Sequence, residues 1–310
     1  MKAVICERYG GPEVLSIQEV PTPKIGDEDI LVRICASTVN SADVRSRSLQ
    51  AKGLVRLAMR LAMGWSRPRN PILGNIYAGT IQKLGANVKD FRVGDRVFGC
   101  TPGMQFGCHA ESVAVKSSSA IFHMPKSADY GQAASLLFGG TAALYFLDKA
   151  DPKPQQSILI YGASGAVGSA AVQISRILGL RVTAVSSGGN EAFVRGLGAT
   201  DFLDYTDPEF QLKEGQYHIV FDAVGKLDRN SAKLALKSDG TYLTVASLDV
   251  AKEDKKQLQR LAKWYEDGKF KAVIDRSYPI TDIQLAHRYV EEGHKKGNVV
   301  LKICKFEGIR

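Results

Sequence analysis

The sequence predicts an α/β chain, with a strand-rich first unit followed by a doubly wound parallel sheet. Three observations carry this. The first 40 residues alternate like strands between turn residues. From about Ser157 short apolar runs alternate with helical stretches. A glycine-spaced turn joins the first of those runs to the first of those helices.

Ala3-Val4-Ile5-Cys6 reads as a strand, and Leu15 to Val20 as a second after the Gly10-Gly11-Pro12 turn. Ile30 to Ala36 is a third, after the loop Pro21 to Asp27. Strand-and-turn text resumes from Ala78 to Val115, punctuated by glycines at 79, 85, 94, 99, 103 and 107, as in a compact β-barrel-like domain. In the second unit Ile158 to Tyr161, Arg181 to Val185, Asp201 to Leu203, His218 to Phe221 and Thr241 to Val245 are apolar strands. Helical stretches run from Ala166 to Leu178, Glu191 to Leu197 and Arg229 to Leu236. That alternation implies a parallel sheet covered by helices on both faces. The chain ends in a further strand, Val299 to Ile303.

A length of 310 residues suggests two domains, and 45% hydrophobic with 24% charged residues is ordinary globular composition. The amino terminus lacks the apolar run and cleavage site of a signal peptide, and no 18-residue apolar window suggests a membrane span. The five cysteines (Cys6, Cys35, Cys100, Cys108, Cys304) are odd in number and scattered, which leads us to expect reduced thiols and a cytoplasmic protein. A net charge of +9 attracts anions of any kind and does not choose among a phosphate-bearing cofactor, nucleic acid and an anionic membrane.

The sharpest motif is Tyr161-Gly162-Ala163-Ser164-Gly165-Ala166-Val167-Gly168. Glycine lets the backbone turn tightly and approach a pyrophosphate, while a helix N-terminus offers N–H groups and a positive dipole end. The spacing is G-x-x-G-x-x-G, with Ser164 where the commoner form carries its second glycine. A carboxylate at the end of the next strand would hold the ribose hydroxyls of NAD. Here Ser186-Ser187-Gly188-Gly189-Asn190 stands instead, leaving room for a 2′-phosphate, and Tyr205 could add a hydrogen bond. NADPH is therefore expected over NADH. Glu191 is the one carboxylate close enough in sequence to turn toward the ribose.

From end to end the chain resembles the quinone oxidoreductase-like, zinc-independent branch of the medium-chain dehydrogenase/reductase superfamily. The matching text includes Gly11 to Leu15, Val39 to Asp43, Ile72 to Gly79, Val93 to Gly99, Gly107 to Glu111 and Gly139 to Ala143. The glycine loop, Phe221 to Gly225 and Gly297 to Leu301 complete it. The resemblance implies a GroES-like β-barrel catalytic domain from residues 1–122 and 275–310, and a Rossmann domain from 123–274. It also implies a homodimer through the edge strand near Thr241 to Val245.

By the same resemblance Asn40 lies near the nicotinamide, either donating to the substrate oxygen or fixing its own loop. Thr141 begins a helix facing the cofactor, and Ala223, Val224 and Asn298 join the cofactor site. Relatives often carry a tyrosine just past Asn-x-x-Asp. This chain has Val44-Arg45-Ser46-Arg47, which makes Arg45 a candidate for binding the substrate carbonyl.

Zinc members of the superfamily use Cys, His and often Glu ligands. The corresponding places here are Asn40-Ser41-Ala42-Asp43 and Gly74-Asn75-Ile76, and no four-cysteine lobe is present. Cys100, Cys108, His109 and Glu111 match no common zinc spacing, so no metal is expected. Without a Lewis acid the acceptor must already be electrophilic, such as a quinone or an α,β-unsaturated carbonyl.

Two other readings stand beside this one. One is a zinc-free alcohol or aldehyde dehydrogenase-like enzyme. The other is a non-catalytic NADPH-binding protein, RNA-binding or crystallin-like, although neither nucleic acid nor membrane is an expected partner. The basic run Lys52 to Arg69, with Lys52, Arg56 and Arg60 at i, i+4 spacing, reads as a lid, a membrane-surface helix or an ordinary amphipathic helix.

Overall fold

The computed structural model describes residues 1–49, 57, 60, 61, 63–103, 105–247 and 251–304. Strands β1 (Lys2–Cys6) and β2 (Leu15–Glu19) form an antiparallel pair. A seven-stranded sheet takes β3 (Asp29–Val39), β4 (Ile76–Leu84), β5 (Arg96–Cys100), β6 (Ser112–Lys116) and β7 (Ile121–His123) from the first part of the chain. Its other two strands, β13 (Ile274–Pro279) and β14 (Asn298–Lys302), come from the last part. The 11-residue β3 organises this sheet. One of its edges pairs with β4, while the other pairs first with β6 over Asp29–Arg33 and then with β14 over Ala36–Val39. The β14 pairing brings the start of that strand beside the start of helix α1 (Ser41–Ser48).

The second sheet is parallel, with strands β8 (Ser157–Tyr161), β9 (Arg181–Ser186), β10 (Asp201–Asp204), β11 (Tyr217–Asp222) and β12 (Leu236–Thr244) in spatial order β10-β9-β8-β11-β12. That is the doubly wound order, which reverses between β8 and β11. The crossover helices include α3 (Ala166–Ile177), α4 (Glu191–Leu197) and α5 (Arg229–Ala235). Each predicted strand and helix of this unit is present within a few residues. The exception is β12, which begins at Leu236, earlier than its apolar text suggests.

Helix α2 (Tyr130–Ala150) corrects one expectation. Thr141 does not begin a helix. It lies in the middle of this 21-residue one, buried, and its hydroxyl donates to the Leu137 carbonyl four residues back. Gly139-Gly140 just before it is no helix break. A methyl at Gly139 would lie 2.6 Å from the Ala166 carbonyl carbon, so the glycine lets α2 approach the N-terminus of α3. One hydrophobic cluster runs from Ile76, Phe98 and Cys100 through Leu136, Leu137 and Leu144 to Ile158, Ile160 and Phe221, with α2 packed between the two sheets.

Helices α6 (Lys255–Glu266) and α7 (Ile283–Glu292) complete the described elements. Among the described residues no helix is long and apolar enough to cross a membrane. Of the run Lys52 to Arg69, residues 52–56, 58, 59 and 62 lie outside the described residues, and with them the i, i+4 pattern of Lys52 and Arg56. Arg60 stacks on the exposed Trp65 ring at 5.6 Å.

The cysteines also need correction. Cys35 and Cys304 are joined as a disulfide, with Cα atoms 4.5 Å apart, while Cys6, Cys100 and Cys108 are free and buried. The register of β14 on β3 pairs Lys302 with Ala36, so the residues just beyond β14 fall beside Cys35.

Candidate active site

The site is built at the switch point of the parallel sheet. Gly162 leaves β8 with φ +77, a left-handed conformation that suits glycine. The N–H groups of Gly162 and Ala163 donate to the Val185 carbonyl at 2.9 and 3.0 Å, which pins the turn against β9. Gly165 is the N-cap of α3, and the first helical bond runs from Ser169 N–H to its carbonyl at 2.8 Å. The N–H groups of Ala166, Val167 and Gly168 therefore open at the helix N-terminus without intrahelical partners, the arrangement that suits an anion. Gly168 seats α3 on this turn: a methyl there would lie 2.7 Å from the Ala163 Cα.

The other wall follows β11. Asp222, almost wholly buried, accepts from the N–H groups of Val224, Gly225 and Leu227 at 3.2, 2.8 and 3.1 Å. This folds Ala223 and Val224 back over the glycine turn. The Ala223 N–H donates to the Tyr161 carbonyl at 3.0 Å, and the Val224 side chain covers Gly162.

Beyond β9, Ser186 is buried, and Ser187 accepts from the Asn190 amide at 3.0 Å, tightening the loop. Tyr205 is exposed, its ring 6.1 Å from Tyr161. Glu191 pairs with Arg195 at 2.8 Å along α4. Asp204, at the end of β10, is bound by the backbone and hydroxyl of Thr206, and these bonds together with the Gly188 N–H hold its carboxyl below the usual range.

One contributor was not read from the sequence. The turn before β14 lies on the cofactor loop. Gly297 N–H donates to the Ser164 carbonyl at 2.9 Å, and Gly297 bridges Gly165. Asp275 holds this turn by accepting from Lys296 N–H at 2.9 Å and from the Tyr289 hydroxyl at 2.7 Å. The Lys296 ammonium then reaches the Gly189 carbonyl at 3.5 Å, beside Ser187 and Asn190. Lys295 caps the Gly297 carbonyl at 2.7 Å, and burial pulls its ammonium down to about 8. Lys295 and Lys296 carried a signal in the basic pair just before Gly297, but nothing in the sequence says which loop they face. Asn298 gives its amide N–H groups to the carbonyls of Ser135 and Val273, a role in fixing the turn.

Asn40 is buried at the N-cap of α1. Its side-chain oxygen accepts from Ala42 and Asp43 N–H, and Asp43 returns a bond to the Asn40 N–H at 2.9 Å. The Asn40 amide nitrogen donates to Asn75 Oδ1 at 3.2 Å, which commits one of its two hydrogens. Asn75, on the segment before β4, is a partner that sequence reasoning noted only for its missing zinc ligand. Arg45 lies on the exposed side of α1.

Among the described residues no three His, Cys, Asp or Glu side chains come together as a metal-binding group. Glu111 turns outward and accepts from the Lys2 N–H at 2.8 Å. Burial pushes the Cys100 and Cys108 thiols far up.

Comparison with known proteins agrees with this geometry. Residues 26–144 match the alcohol dehydrogenase GroES-like domain, and residues 246–301 match the zinc-binding dehydrogenase family. A zinc-type alcohol dehydrogenase-like protein of Schizosaccharomyces pombe is 31% identical, over 78% of this chain and 71% of its own. An NADPH-dependent alkenal/one oxidoreductase, chloroplastic, of Arabidopsis thaliana is 28% identical, over 97% of this chain and 79% of its own. Among solved structures, a quinone oxidoreductase from Coxiella burnetii superposes with a TM-score of 0.83 at 24% identity, over 98% of this chain and 99% of that one. The chain belongs to the medium-chain dehydrogenase/reductase superfamily, in its quinone oxidoreductase-like branch, and its fold is a Rossmann sheet with a GroES-like domain. It is an oxidoreductase of that type.

Proposed function

We propose that the protein is a zinc-independent reductase that uses NADPH to reduce quinones or α,β-unsaturated carbonyls. The observation that carries this is the pairing of an open helix N-terminus at Ala166–Gly168 with a loop, Ser186 to Asn190, that has no carboxylate of its own and is overhung by Lys296, the neighbouring Asp204 being taken up by Thr206 and the Gly188 N–H. The N–H groups of Ala166, Val167 and Gly168 hold the pyrophosphate. Ser187, Asn190, Tyr205 and Lys296 receive the 2′-phosphate. Glu191, committed to Arg195, is turned to a partner along its own helix.

NADPH, when bound, supplies the hydride. The protein's part is placement and charge stabilisation. Negative charge grows on the substrate oxygen as the acceptor is reduced, and the second N–H of the Asn40 amide is the donor for it. Arg45 stands on the same helix as a second candidate. The related alkenal/one oxidoreductase supports the enone class, and quinones share its electrophilic character. β12 has no partner on its outer edge among the described residues, which supports the homodimer expected there.

The direct test is NADPH oxidation in the presence of a chelator, against an ortho-quinone, a short enone and a simple aldehyde, with NADH in parallel. Turnover of the quinone or enone with NADPH preferred is the expected result. Turnover confined to the aldehyde, or abolished by the chelator, would sink the proposal.

Lys296 gives a second, independent prediction. Lys296→Ala is expected to weaken NADPH binding roughly ten-fold, the worth of one hydrogen bond to a charged group, and to leave NADH binding unchanged. Fluorescence titration of both nucleotides decides it. Equal loss for both would remove Lys296 from the 2′-phosphate.

A further inference from the structure

We infer that His109 is a positioning residue, joining the two loops that present the facing amides of Asn40 and Asn75. The inference rests on the reading of Asn40 as the substrate-facing donor. His109 is wholly buried, and its Nδ1 has no hydrogen-bond partner among the described residues, so the ring's one bond, through Nε2, is what offsets the cost of burying it.

Its bonds converge on those loops. Ring Nε2 lies 3.1 Å from the Thr38 carbonyl, two residues before Asn40. A carbonyl only accepts, so Nε2 carries the proton and donates. The backbone of His109 faces the other loop: its N–H donates to the Leu73 carbonyl at 2.9 Å, two residues before Asn75. Cys108 N–H donates to the Gly74 carbonyl at 3.0 Å. The ring itself packs against Gly74, where a methyl would come 2.8 Å from Nε2.

A third element ties into the same node. Asp43 accepts from Gly74 N–H at 3.0 Å and from Asn40 N–H at 2.9 Å, so its carboxylate bridges both loops directly. Behind the ring, His287 of α7 packs edge-on, with centroids 5.9 Å apart and planes at 89°. His109 cannot shift without moving Thr38 or Gly74, and with either of them one of the two amides. The 3.2 Å Asn40–Asn75 bond is therefore held from behind by the His109 ring, which bonds to the loops and to neither amide, together with Asp43, whose N–H donates to the Asn40 side-chain oxygen.

The test compares wild type with His109→Leu and His109→Gln. Glutamine sets an amide N–H near the place of Nε2, whereas leucine fills the space without a donor. The readouts are kcat with NADPH and the enone, NADPH affinity, the melting temperature, and the side-chain amide signals of Asn40 and Asn75 in nitrogen-15 spectra. For His109→Leu we expect kcat to fall on the order of ten- to a hundred-fold, the scale of a small misplacement of a reacting group, with NADPH affinity unchanged. His109→Gln is expected to recover most of that loss, and the two amide signals should move in the leucine variant and return in the glutamine one.

Wild-type kcat in His109→Leu overturns the inference, as does equal loss in both variants. If His109→Leu yields no folded protein, His109→Asn takes its place. Its amide ends one atom short, so equal activity of the Asn and Gln variants overturns the inference. If the wild type reduces no acceptor, the proposed reaction fails, and the amide signals alone decide the role of His109.

Discussion

Gly168→Ala is expected to abolish measurable nicotinamide dinucleotide binding and to lower the melting temperature. The added methyl would overlap the Gly162 carbonyl oxygen and come 2.7 Å from the Ala163 Cα. Both are backbone atoms, so no rotamer change relieves the clash, and α3 must lift from β8. Overpacking of this kind costs about 1–3 kcal/mol. The larger effect falls on binding, because the lifted helix carries the N–H groups of Ala166, Val167 and Gly168 away from the phosphate position. Gly196 in α4 is the control. A methyl there meets nothing within 4 Å, so Gly196→Ala should be neutral or stabilising by about 0.5–1 kcal/mol. Thermal unfolding and nucleotide fluorescence on both variants decide the matter. Wild-type affinity in Gly168→Ala would show that the turn does not cradle the cofactor.

The contrast between Gly168 and Lys296 shows which parts of the site a sequence can reveal. Gly162, Gly165 and Gly168 act within one strand–turn–helix unit, so their spacing alone announces the cradle. Strands β8 to β11 were legible for a similar reason, since short apolar runs buried on both faces stand out between periodic helices. Lys296 meets Gly189 across 107 residues. Asn40 meets Asn75 across 35, and Cys35 meets Cys304 across 269. Those meetings depend on how β14 registers on β3 and how the turn before it docks on the glycine loop, and no local pattern encodes either. Helix α2 starts well before Thr141, and that start was illegible for a different reason. It is buried on nearly every side, so it lacks the polar stripe that marks a surface helix, and its interior glycines serve packing.

Glu291→Gln is expected to destabilise the protein by about 2–4 kcal/mol, because it leaves the charge of Arg47 buried with no carboxylate beside it. Arg47 has no exposed side-chain surface. It donates to the Gly10 carbonyl at 2.7 Å and to Glu291 Oε2 at 2.9 Å, tying α1 to α7. Glu291 is about a third exposed at 32%, so solvent screens part of the pair, and the loss should fall toward the lower end of the range. Among the described residues Arg47 pairs with no carboxylate other than Glu291. One turn back stands His287, whose ring is held neutral, well below its usual 6.5, by burial and by the neighbouring His109 and Arg47. A buried cation thus depends on one carboxylate, in a region that already disfavours positive charge. Replacing both partners with apolar residues removes the charge and its need together, so Arg47→Met with Glu291→Leu should recover most of the loss. Denaturant unfolding of the single and double variants provides the measurement. A Glu291→Gln protein within about 0.5 kcal/mol of wild type would mean that apolar packing of Val44 against Ile283 and Val290, and not this ion pair, holds α7 to the loop that carries Asn40.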